Sequence, residues 1–409
     1  MITEQKDRSV WILAVLYFGW VVSYVDRTAI TLALTSIGQD LELNAAHLGF
    51  VLSAFFLGYA LMQIPGGWLA DRFNIVYVLI FAVVIWSVFT AFTGLAWSLT
   101  SLILIRFLFG LGEGAYPSAS TKAIAMYYEK SQRTKAQSTM MSSNMLGSAL
   151  APVLCAPLLL LFGWRSVFFI ISVLGIIFVV ALIMATRNAK VYAPEETGGP
   201  KGSFKSVLTN PYLVRVLCIF FFINIASWGL SSWMPTYLMQ VHNIDMKSIG
   251  LVAAIPALFS AVGMIFSGRI ITKLGAKSKY GVVIGAAVLA TCLFLMANTA
   301  SIVVVIMYQC VAFVGVAFVI SFIFTTPHRV VEDRNVATAF GIVNFGGQSA
   351  GIISPIIMGY LINISGGSFN TSFVFLAIVC AIAAVIAMTL PMNDSSSKQT
   401  SVKPMEGTV

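Results

Sequence analysis

Long apolar runs recur from near residue 10 to near residue 390, separated by short polar segments. A bilayer core needs about 20 apolar residues per helical crossing, so the pattern predicts an all-α polytopic membrane protein. Twelve transmembrane helices are read at 10–36, 46–70, 76–97, 99–127, 136–161, 165–187, 212–240, 247–273, 279–298, 301–326, 335–363 and 371–390. These are unbroken apolar stretches and not ten-residue alternating strands, which excludes a transmembrane β-barrel. Several runs contain proline (Pro117, Pro152, Pro157, Pro235, Pro256 and Pro355). Membrane helices tolerate it because neighbouring groups satisfy the freed backbone.

One interruption is longer than the rest. Residues 188–211, NAKVYAPEETGGPKGSFKSVLTNP, are polar, charged and rich in Gly and Pro. They read as a linker between an N-terminal six-helix bundle (1–187) and a C-terminal one (212–390). Residues 391–409, with DSSSKQ, read as a disordered tail. The halves look like repeats. GGWLADRF (66–73) follows the second run and SGRIITKLGAK (267–277) follows the eighth, in the same place within each half. Such internal symmetry suits a rocking transporter with its substrate site at the midplane.

Composition agrees with the pattern. Of 409 residues 59% are hydrophobic and 10% charged, against about 45–50% and about 25% in soluble domains. Charge then sets orientation. With a cytoplasmic N-terminus, 18 of the 24 Lys and Arg fall on the cytoplasmic side and only Arg165 and Lys247 on the other. The positive-inside rule therefore places both termini in the cytoplasm. The net charge of +9 is a topology signal; it lies in short loops and not along one soluble face, so no nucleic-acid partner is expected. Residues 10–36 are too long for a signal-peptide core and contain Asp26-Arg27. The five cysteines sit in apolar runs without a CxxC and read as packing residues. His47, His242 and His328 form no ligand cluster. No metal and no cofactor beyond a coupling proton is expected. No GxSxG, Walker, HExxH or dinucleotide motif occurs, and GLGEGA (110–115) lies within an apolar helix and follows no strand. An enzyme is not expected.

Charges inside a span are costly and mark function by default. Four stand out: Asp26 and Arg27 in the first span, Arg106 and Glu113 in the fourth. At 1.5 Å per residue Asp26 lies ~15 Å and Arg106 ~11 Å below the outer surface, with Glu113 ~21 Å deep. Asp26, Arg27 and Arg106 thus share a depth. Arg106 and Glu113, seven apart, share a helix face, thinned between them by Gly110 and Gly112. Two arginines can hold a carboxylate by charge-assisted hydrogen bonds. Two carboxylates in a low-dielectric cavity can act as proton carriers. A protonated acid releases its arginine for an anion, which couples the two ligands. The competing reading is a self-neutralised structural network. Weaker polar candidates are Tyr24, Tyr59, Gln63, Asn144, Asn224, Ser321, Asn344 and Gln348, which suit hydroxyl recognition or interhelical packing. Trp228 and Trp233 in ASWGLSSWMPTYL (226–238) either stack on a sugar chain or pack. Asp71 and Arg72, with Arg133 of the EKSQRTKAQ loop, read as a cytoplasmic gate, and Lys122 as an interface anchor.

GGWLADRF, repeated in weaker form in the second half, resembles the signature loop of the major facilitator superfamily. SYVDRTAI (23–30), YALMQIPGGWLADR (59–72), RFLFGLGEGAYPSAS (106–120) and NFGGQSAGIISPI (344–356) narrow the match. They resemble the anion:cation symporter branch, which includes bacterial hexuronate, glucarate and galactonate transporters and vesicular organic-anion transporters. The resemblance covers essentially residues 8–390. It implies proton symport, with Asp26 and Glu113 as coupling acids and Arg27 and Arg106 as anion-binding arginines. It also implies substrate-lining roles for Tyr24, Tyr59, Asn144 and Asn344. The expectation is a monomeric proton-coupled importer of a small organic anion, a sugar acid, in a bacterial inner membrane. The alternatives are an exchanger or facilitator without proton coupling, a non-transporting anion sensor, and a lipophilic-drug exporter.

Overall fold

The computed structural model describes residues 2–187, 189, 191–192, 209–326, 330 and 333–391. Most of the expected linker and tail lies outside the described residues. Among those described, the regular elements are helices: α1 Ile2–Asp40, α2 Ala45–Arg72, α3 Ile75–Gly94, α4 Leu99–Gly114, α5 Tyr116–Tyr127, α6 Lys130–Thr186, α7 Pro211–Gln240, α8 Met246–Leu274, α9 Ser278–Ala297, α10 Ile302–Thr325, α11 Asp333–Ile364 and α12 Asn370–Met388. In two places the helices depart from one per crossing. The fourth span is α4 and α5, broken at Ala115 just before Pro117. Conversely α6 is two spans. Its 52-residue apolar portion is ~78 Å long at 1.5 Å per residue, more than two bilayer cores. It breaks at Gly163, with φ 73° and ψ 166°. Eleven described helical stretches are long and apolar enough to cross a membrane, and this break brings the crossings to twelve.

Polar caps at the apolar boundaries start the helices. Asn44, Asn74, Ser98, Asn210 and Asp245 each accept a hydrogen bond from a first-turn backbone amide. The outer faces carry exposed Leu, Ile, Val and Phe, such as Ile176 and Leu251, which suits a lipid surround. At the ends the halves repeat one contact. Arg8 at the start of α1 donates to the carbonyl of Arg187 just after α6, and Arg215 near the start of α7 donates to that of Thr389 just after α12. Each first helix thus satisfies the last carbonyls of its own sixth span.

Inside the first half α2 and α4 pack backbone to backbone. A Cβ on Gly110 would lie 2.2 Å from the Phe55 carbonyl oxygen, and one on Gly58 2.1 Å from that of Phe107. Small residues allow such an approach in a membrane, and here it brings α4's charges against α2's aromatics. Between the halves α2 packs on α11, α6 on α8, and α1 on α7.

Candidate functional site

The charge set assembles where α1, α3 and α4 meet. Asp26, Arg106 and Glu113 are each no more than 2% exposed. Burying ions is tolerable only if they are paired and hydrogen-bonded, and these are sorted into two pairs. Arg106 Nη1 lies 3.0 Å from Asp26 Oδ1, and the Thr90 hydroxyl donates to Asp26 Oδ2. Arg27 Nη2 lies 2.6 Å from Glu113 Oε1, and Arg27 Nε donates to that oxygen at 2.8 Å. The Ser23 hydroxyl donates to the same atom. Glu113 therefore receives its donors on one oxygen. Its Oε2 is buried without a hydrogen-bond partner among the described residues, as is Nε of Arg106.

The sequence puts Asp26, Arg27 and Arg106 at one depth. In the structure Arg27 folds back over Tyr24 and takes Glu113 as its partner, leaving Asp26 to Arg106. Aromatic rings hold both guanidinium groups. Arg27 Cζ lies 5.2 Å from the Tyr24 ring centroid, 4.9 Å from Phe55 and 4.8 Å from Tyr59. Arg106 Cζ lies 4.2 Å from Phe109 and 5.6 Å from Phe55. These are cation–π distances, and Phe55 serves both arginines.

The other sequence candidates divide. Tyr24 and Tyr59 join the Arg27 cage. Asn144 lies three residues before Gly147, which packs on Tyr24 and Val21 of α1. Its Oδ1 is buried without a partner among the described residues, as is Gln348 Oε1 on α11. Asn344 lies one turn before Gln348, and Gln63 one turn after Tyr59; both are part-buried. Asn224 donates to the Phe220 carbonyl at 2.8 Å within its own helix. The Ser321 hydroxyl is 2.7 Å from that of Ser267 and ties α10 to α8. Trp233 packs: it is 1% exposed and its indole donates to the Pro355 carbonyl at 3.3 Å. Trp228 instead crosses to the first half, its ring 4.8 Å from Phe56, with its indole N–H buried and unpartnered.

The residues read as a cytoplasmic gate have these partners in this conformation. Among the described residues Asp71 pairs with Lys122 at 3.3 Å, and Lys122 also donates to the Ala70 carbonyl. Arg72 stacks 5.5 Å from the Trp68 ring, and Arg133 Nε donates to the Tyr128 carbonyl at 3.1 Å. Lys122 is thus a cap for α2 with a protein partner. His242, at the other end, sits 2.9 Å from the Tyr237 hydroxyl, and burial lowers its pKa. Among the described residues no three His, Cys, Asp or Glu side chains come together as metal ligands.

Reasoning from sequence missed Ser23, Thr90, Phe55, Phe56 and Phe109. Only Ser23 carried a signal, one helical turn from Arg27.

Comparison with known proteins gives a consistent picture. The family model described as Major Facilitator Superfamily matches residues 16–355. The probable galactarate/D-glucarate transporter GarP of Escherichia coli (strain K12) is 30% identical over 91% of this chain and 92% of its own. The probable L-galactonate transporter of the same organism is 29% identical over 93% and 90%. The hexuronate transporter of Bacillus subtilis (strain 168) is 26% identical over 91% and 93%. In structure the chain is similar to a bacterial homologue of the human lysosomal transporter Spinster, in an inward-facing, unoccupied conformation. The TM-score is 0.82 at 22% identity, covering 93% of this chain and 96% of that one. The named relatives are transporters and not enzymes, as expected.

Proposed function

The chain belongs to the Major Facilitator Superfamily, a multi-pass integral membrane protein, and on that premise we propose that it imports a sugar acid together with protons by alternating access. It works as a monomer in a bacterial inner membrane with both termini cytoplasmic. The observation that carries the reading is the sorting of four buried charges into two separate arginine–carboxylate pairs.

Each pair can exchange its internal carboxylate for an external one. A proton placed on Glu113 removes the charge that holds Arg27, and a substrate carboxylate then takes the guanidinium. The same exchange is open to Asp26 and Arg106. With no ligands the site is neutral, and with proton and anion together it is neutral again. A proton alone or an anion alone leaves an uncompensated buried charge, which is strongly unfavourable. Only the empty and fully loaded forms are therefore suited to crossing between conformations, which is what tight symport requires. By linkage each ligand raises the affinity for the other. The names of the relatives support a sugar acid, and the hydroxyl-bearing Tyr24 and Tyr59 rings around Arg27 support a hydroxylated one.

The test is uptake of radiolabelled sugar acids into proteoliposomes, with and without an inward proton gradient. Wild type should accumulate one acid only with the gradient, and Arg106→Ala should lose that accumulation. Equilibration indifferent to the gradient would replace symport with facilitated diffusion or exchange. Normal transport by Arg106→Ala would return the charges to a structural role.

A further inference from the structure

The two walls of the central region differ in kind. The first half supplies both arginines and both acids. The second half has no Asp, Glu, Lys or Arg in 216–244, 248–268, 280–328 or 335–393. What it presents toward the first half is uncharged, with two polar atoms among apolar ones. Trp228 of α7 rests on Phe56, and its indole N–H has no partner among the described residues. On α11, a Cβ on Gly351 would lie 2.3 Å from the Phe56 ring, and Ile352 packs into the first half's core. Gln348 lies three and four residues before them, on the same helix face. Its Oε1 is buried and has no partner among the described residues.

Phe56 and Tyr59 lie one turn apart on α2. Arg27 lies over Tyr59 at one end of that face and Trp228 beside Phe56 at the other. One end offers a cation and the other a neutral donor and a neutral acceptor. A buried polar atom without a partner is costly, so each gains most from the group that completes it. A hydroxyl can accept from the Trp228 N–H and donate to Gln348 Oε1. A carboxylate there could accept from Trp228, but it would face the Gln348 carbonyl oxygen with no cation to neutralise it. Burying such a charge unpaired is heavily penalised.

Resting on the organic-anion reading above, we infer that the substrate is a monocarboxylate with a hydroxylated far end, an aldonate and not an aldarate, and that Trp228 and Gln348 select the uncharged terminus. The carboxylate goes to the arginine freed by a proton. The far hydroxyls go to the second half, so an acid charged at both ends binds poorly. The selection is made by what the α7 and α11 wall lacks as much as by what it offers.

The test compares galactonate with galactarate, which differ only in whether C6 is an alcohol or a carboxylate. Binding is measured by titration calorimetry on purified protein in nanodiscs at a pH where galactarate carries both charges. Wild type should bind galactonate at least about tenfold more tightly, because the second carboxylate of galactarate would be buried there without a cation. Trp228→Phe and Gln348→Leu should each weaken galactonate several-fold. Neither should change the binding of acetate, which lacks the far hydroxyls. Gln348→Arg should shift preference toward galactarate, a gain that a folding defect cannot mimic. Equal or tighter binding of galactarate by wild type overturns the inference and leaves organic-anion transport standing. So does unchanged galactonate binding in both loss variants. If wild type binds neither sugar acid nor acetate, the anion site itself is refuted and this inference with it.

Discussion

At the scale of single residues, the question is which groups carry the coupling proton. Glu113 is the sharper candidate because its donors converge on Oε1 and leave Oε2 without a partner. Glu113→Gln keeps an amide oxygen for Arg27 and Ser23 but cannot release a proton at physiological pH. Counterflow exchange of labelled substrate should survive within about an order of magnitude, while uphill accumulation driven by a proton gradient should vanish. Uphill accumulation in the variant would remove Glu113 from the coupling step. The four charges were legible in the sequence because an ion inside an apolar run has few structural excuses. Their pairing was not. Depth along a helix is readable from residue count, but the reach and direction of an arginine side chain are not, and Arg27 uses that reach to find Glu113. The hydroxyl partners were hidden for a different reason. Thr28 and Thr93 bond carbonyls of their own helices, as hydroxyls in membrane helices commonly do. Nothing in the run around residue 90 separates Thr90, which reaches Asp26, from Thr93, which does not.

At the scale of elements, the twelve crossings were legible from apolar length alone, and their ends were not. Helices α1 and α2 run on to Asp40 and Arg72, beyond the apolar runs at 36 and 70. Polar residues continue a helix once it leaves the hydrocarbon, and caps rather than hydropathy decide where it stops. The break at Gly163 shows the same thing from within. Its φ of 73° with ψ of 166° lies in a region essentially reserved for glycine. A Cβ there would meet nothing within 4 Å, so backbone strain is the whole cost of a substitution. Gly163→Ala should therefore destabilise by about 1–3 kcal/mol, read as a lower Tm of the purified protein, with substrate KM unchanged. An altered KM would mean that the bend also positions the central site through the first arm of α6, which carries Asn144. An unchanged Tm would mean that the chain turns there without the glycine conformation.

At the scale of the whole molecule, the two halves meet through backbone at the end away from the termini. A Cβ on Gly49 would lie 2.5 Å from the Pro355 carbonyl oxygen, one on Gly359 2.4 Å from that of Ala45, and one on Gly250 2.8 Å from that of Pro152. These contacts form two seams, α2 with α11 and α6 with α8. The facing atoms are mostly backbone, so they cannot step aside as a flexible side chain would. Sequence reading could place glycines in these helices but could not say which faced the other half, because that depends on how the bundles rotate together. The seams make a conformational prediction. Overpacking a tight contact costs about 1–3 kcal/mol, and alternative conformations of one protein differ by only a few kcal/mol. Gly49→Leu and Gly250→Leu should therefore each shift the population several-fold toward a form open at that end, and the double variant further. A cysteine introduced by Asn144→Cys in a background without other cysteines should then react faster with an impermeant maleimide added from that side, while net uptake falls. The two effects must move together. Faster labelling with normal uptake would place the seam off the transport cycle. Unchanged labelling with lost uptake would make the glycines supports of the fold and leave closure to other contacts.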